Sequence, residues 1–67
     1  MSMTLATEVL RGDARAWGRV ADLVRERGGR YKDAFDIVCQ IFAKAGRATP
    51  SLADFDEKMA ECDDAKW

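Results

Sequence analysis

Between Tyr31 and Ala45 the apolar residues recur with a helical period over a wide arc. Tyr31, Ala34, Phe35, Val38, Ile41, Phe42 and Ala45 form one stripe, and Ile37 and Cys39 widen it on either side. At about 100° per residue the arc from Ile37 to Cys39 spans about 200°, more than a helix with a single buried face needs. Such a segment must be wrapped by several neighbours, or by neighbours and a partner. It predicts an all-α fold, a compact three- to four-helix bundle with this third helix (about 31–45) at its centre.

The rest of the chain supports helices and argues against strands. No period-2 alternation is sustained, and Val, Ile and Thr together number nine. Five glycines and one proline punctuate the sequence into four segments. The first, Thr4 to Arg11, stops at Gly12. Asp13 then has the chemistry of an N-cap for a second helix from Ala14 to about Arg27, where Trp17, Val20, Ala21 and Val24 fall on one face beside Leu23. Gly18 lies inside that helix, where it costs about 1 kcal/mol relative to alanine, and suggests close approach by a neighbour. Gly28-Gly29 and Gly46 end the second and third helices. The fourth opens at Thr49-Pro50-Ser51, with Pro50 suited to a first helical position. There Ser51-x-x-Asp54 resembles a capping box with Asp in place of Glu, and Leu52, Phe55, Met59 and Cys62 supply a narrow apolar stripe.

With 67 residues there is room for one core, so residues 1–67 are expected to form a single helical domain whose tail at 63–67 frays. Of 32 apolar residues 11 are alanine, which leaves few bulky side chains and calls for close packing or a partner.

Composition removes much chemistry. There is no histidine, the commonest general base and metal ligand. Cys39 and Cys62 lack the spacing of a zinc site and are expected to be free thiols. Phosphate-loop and dinucleotide glycine patterns are absent. No catalytic residue, cofactor or metal is therefore expected. The longest uncharged stretch inside the chain, Ile37 to Ala43, is far shorter than the roughly 20 residues of a membrane span. The N-terminal residues lack the pattern of a signal peptide, so no membrane association and a cytoplasmic location are expected.

A formal net charge of −1 hides a lopsided distribution. Residues 1–47 carry nine basic and six acidic side chains, net +3, whereas residues 48–67 carry two and six, net −4. Arg11, Arg15 and Arg19 recur every fourth residue and predict a cationic stripe beside the second helix; with Arg25, Arg27 and Arg30 they make a basic face. Asp54, Asp56, Glu57 and Glu61 make an acidic one. Two poles of this kind steer a charged partner and select its orientation. Tyr31 and Trp67 are the aromatic contact candidates; Trp67 either folds back as a lid on the bundle or serves as a contact.

Wide apolar arc, polarised charge and missing chemical apparatus together lead us to expect a non-enzymatic protein-binding module. It would act as an adaptor, regulator or inhibitor on a larger protein or complex, in the manner of small phage-encoded proteins that block host complexes. Self-association as a homodimer through the second and third helices would cover surplus apolar surface equally well. The alternative is a small DNA- or RNA-binding regulator using the arginines of the second helix. It is less favoured because Asp33 and Asp36 would repel phosphates from the helix after the turn.

Overall fold

Local hydrogen bonds set the helix ends. A computed structural model describes residues 4–62, which form α1 (Leu5–Leu10), α2 (Ala14–Glu26), α3 (Tyr31–Lys44) and α4 (Leu52–Glu61), with no strand among them. Thr4 caps α1, its side chain accepting the Thr7 N–H at 3.2 Å. Asp13 caps α2 through a 3.0 Å bond from the Arg15 N–H. The expected box at α4 is present: Asp54 N–H donates to Ser51 Oγ (3.1 Å) and Ser51 N–H to Asp54 Oδ2 (3.2 Å). Pro50 precedes this cap and is therefore outside the first helical turn, where the sequence had suggested it.

The first three helices end alike. Beyond α2, Gly28 takes a φ of 78°, its N–H donating to Arg25 O (3.0 Å) and the Gly29 N–H to Val24 O (2.8 Å). This Schellman turn repeats at Gly12 and Gly46, with φ of 83° and 71°. The left-handed backbone is strained for a residue with a Cβ.

α2 and α3 form the middle of the molecule. The expected centrality of α3 holds, but α2 shares it and buries more: Ala16, Trp17, Gly18, Val20, Ala21 and Val24, against Ala34, Val38 and Phe42 on α3. α1 packs on both, and α4 lies along α2. The aromatic centre is Phe55 of α4, which is fully buried. Its ring stacks on Trp17 (centroids 6.1 Å apart) and meets Tyr31 (5.1 Å) and Phe35 (5.6 Å) edge-on. Trp17 also meets Phe42 edge-on at 5.9 Å. Phe42 is core as expected, whereas Phe35 is half-buried at the edge of the cluster.

Gly18 confirms close approach: a methyl group there would collide with the Sγ of Cys62, at the end of α4. The other thiol, Cys39, donates to the carbonyl of Pro50 at 3.8 Å, and both cysteines are free. Among the described residues no helix is long and apolar enough to cross a membrane, and no three or more metal-ligating side chains form a cluster.

α1 is too short to be stable alone. Its C-terminal end is held from three other segments. Trp17 Nε1 donates to Val9 O (2.9 Å), Arg47 Nη1 to Leu10 O (2.9 Å) and Lys58 Nζ to Gly12 O (2.8 Å). The two cations stand where the negative end of the helix dipole favours them, and each also faces a ring, Arg47 over Phe42 and Lys58 over Trp17.

Candidate docking groove and charged faces

The surplus width of the α3 stripe becomes a groove. α4 covers the Phe35 side of the arc and α2 lies against its middle. α1 reaches the far side only in part, so that Ile37 remains 39% exposed. Opposite it, Leu23 of α2 is 48% exposed. Between them lies a groove of about 270 Å³ walled by Leu5, Val20, Leu23, Ile37 and Ile41, with Arg27 the single charged residue lining it among the described residues. Exposed aliphatic side chains gathered at one place, rather than scattered singly, are where a contact surface is sought. The sequence signal was the extra width contributed by Ile37 and the position of Leu23 beside its stripe. Leu52, a third exposed aliphatic and the first residue of the narrow stripe of the last helix, lies at the start of α4 with half its surface in water.

The predicted basic face divides. Arg11 belongs to the turn that closes α1, so only Arg15 and Arg19 share a face of α2 and the three-arginine stripe is interrupted. Arg15 and Arg19 line an open depression of about 480 Å³ together with Glu8, Asp13, Asp22 and Cys62. Carboxylates thus alternate with the arginines, and a phosphate entering there would meet both signs. Arg25 pairs with Asp22 at 3.0 Å in an exposed ion pair, which contributes about 1 kcal/mol at most. Arg27 caps α2 and borders the apolar groove, while the Arg30 N–H donates to Asp33 Oδ2 at 2.9 Å where α3 begins.

The acidic face is partly occupied by structural work. Asp54 serves the α4 cap, and Asp56 accepts the hydroxyl proton of Tyr31, joining α3 to α4. Burial and the Asp56 carboxylate push the Tyr31 hydroxyl up to about 12. Glu57 and Glu61 remain on the exposed face of α4. Burial raises the Cys39 thiol, helped by the charge of Asp36. Trp67, expected as a contact, lies outside the described residues, as does the tail predicted to fray. Arg47 and Lys58 were not singled out by the sequence, because their acceptors lie far away along the chain. No family model, curated protein or solved structure matches this chain.

Proposed function

We propose that this chain is a small non-enzymatic protein-binding module, an adaptor, regulator or inhibitor. Its partner docks on the apolar groove between α1, α2 and α3. The observation that carries this reading is the pairing of two exposed aliphatic residues, Leu23 and Ile37, across one groove. Covering them is worth about 25 cal/mol per Å² of apolar surface removed from water. Arg15 and Arg19 on one side and Glu57 and Glu61 on another supply poles that orient the partner.

Two further points support the absence of catalysis. The groups with displaced titration, Tyr31 and Cys39, are both moved toward their protonated, less nucleophilic forms. Among the described residues the groove is lined by aliphatic side chains and Arg27, without a cluster of polar groups for a substrate. Nucleic-acid binding is disfavoured by the carboxylates interleaved with Arg15 and Arg19.

The test is affinity capture from the native host's lysate with the wild-type chain and with Leu23→Glu and Ile37→Glu, each first checked for an unchanged helical melt. A specific partner retained by the wild type and lost by both variants supports the reading. Capture indifferent to both substitutions removes the groove from the interface.

A further inference from the structure

We infer that α1 and the turn after it form a latched strap. They swing away from the α2–α3–α4 core as one unit, and Arg47 and Lys58 are the latches that hold them closed.

Four observations lead there. First, α1 has six residues, whereas isolated helices shorter than about 12 residues are marginal in water. Away from the core it has nothing to keep it helical. Second, α1 contributes little to the core it covers. Of the eleven core residues described, Val9 alone comes from α1, with Leu5 and Leu10 partly buried beside it. The aromatic cluster of Trp17, Tyr31, Phe35, Phe42 and Phe55 belongs to α2, α3 and α4. Third, a hinge lies in the right place. Gly12 takes the left-handed turn, and α2 does not depend on α1 for its start. Asp13 caps it, the side chain accepting the Arg15 N–H and the carbonyl accepting the Ala16 N–H, both at 3.0 Å. Fourth, polar bonds from other segments converge on the end of α1. Arg47 Nη1 reaches Leu10 O, Lys58 Nζ reaches Gly12 O and Trp17 Nε1 reaches Val9 O. Cationic donors at a helix C-terminus make strong bonds, and one motion breaks both of them.

Opening uncovers the seam of α2 and α3. Leu5 and Ala6 line the apolar groove, so without α1 it loses a wall and widens over Val20, Val24, Ile37 and Ile41. Segments that open below the free energy of global unfolding are where a fold changes shape. The strap stands apart from the protein-binding reading, because its motion belongs to the free chain.

The test is native-state hydrogen exchange of the full chain, followed by NMR. The amides of Arg11, Gly12 and Asp13 bond within the strap. In the wild type they should exchange as a group, at least about 30-fold faster than those of Val38 and Phe42 in α3. The indole N–H of Trp17 should go with the strap although its ring is core, since its acceptor is Val9 O. Lys58→Met and Arg47→Met remove the latches and should each speed the strap about tenfold. Phe35→Ala weakens the core in the closed and the opened state alike. It should therefore speed exchange in α3 and leave the strap's rate as it was. Tyr31→Phe, a milder change between α3 and α4, should show the same pattern if Phe35→Ala does not fold. Strap amides that exchange at the rate of Val38 and Phe42, or that the core variant accelerates as much as it does α3, would overturn the strap. A strap rate unchanged by Lys58→Met and by Arg47→Met would overturn the latches.

Discussion

The indole N–H of Trp17 donates to the backbone carbonyl of Val9 across 2.9 Å, and both residues are buried. One side chain of α2 thus fixes the end of α1 while its ring fills the centre of the aromatic cluster. Trp17→Phe keeps most of the ring volume and removes the donor. Loss of a buried hydrogen bond is expected to cost about 1–3 kcal/mol, read as a lower midpoint in urea followed by circular dichroism.

Phe55 and Phe35 carry the same ring at different depths. Phe55→Ala should cost about 3–5 kcal/mol, enough to unfold a domain this small. Phe35→Ala, at the half-buried edge, should cost clearly less and leave a folded protein with a lower melting temperature. Equal costs would contradict the placement of Phe55 at the centre.

Gly18 and Cys62 make a pair whose coupling has a sign. Alanine at an exposed helical position stabilises by about 1 kcal/mol over glycine, but here the new methyl meets the Sγ of Cys62. Gly18→Ala is expected to destabilise the wild type and to stabilise a Cys62→Ala background. A double-mutant cycle of thermal melts measures the difference; additive effects would remove the contact.

Tyr31 predicts a dependence on alkaline pH. Its hydroxyl is raised to about 12 in the folded chain, against about 10 for an unperturbed tyrosine. The folded state therefore holds the proton more tightly than the unfolded state. The stabilisation is fully present below pH about 10, is lost as pH rises toward about 12, and is flat beyond. Urea midpoints across this window should fall for the wild type. They should change less for Tyr31→Phe, which costs about 1 kcal/mol at neutral pH through the lost bond to Asp56.

Lys58 and Arg47 should matter to stability where Arg15 and Arg19 do not. Lys58→Met keeps the length of the side chain but leaves the carbonyl of Gly12 without its charged donor, at an expected cost of about 1–2 kcal/mol. Arg15→Met and Arg19→Met, on an exposed face, should stay within about 0.5 kcal/mol. Thermal melts of the three variants side by side check the contrast.

The helix boundaries were legible because each is decided by partners a few residues apart. Asp13 reaches the Arg15 N–H, and Ser51 and Asp54 exchange bonds across a single turn. Gly12, Gly28 and Gly46 supply the left-handed turn that ends each of the first three helices. The excess apolar width of α3 was equally visible, since it is a property of spacing alone. Periodicity, however, ranks residues by angle and says nothing of depth. It gave Phe35 and Phe55 similar standing, and it put Leu52 on one stripe with Phe55 and Met59, which are buried while half of Leu52 lies in water. The arginine spacing misled for a related reason: a four-residue repeat makes a stripe only if one helix runs through it, and the turn at Gly12 separates Arg11 from Arg15.

By itself, the sequence determined that this protein is an all-α bundle of three to four helices, where most of them start and stop, and that one helix is too apolar for a single neighbour. These properties depend on hydrogen bonds and periodicities within a turn or two of the chain. Only the tertiary structure decided that the surplus opens as a groove between Leu23 and Ile37. It also decided that Arg47 and Lys58, 37 and 46 positions from their acceptors, clamp the end of α1. Contacts at such separation follow from how finished helices stack, which no local pattern of residues encodes.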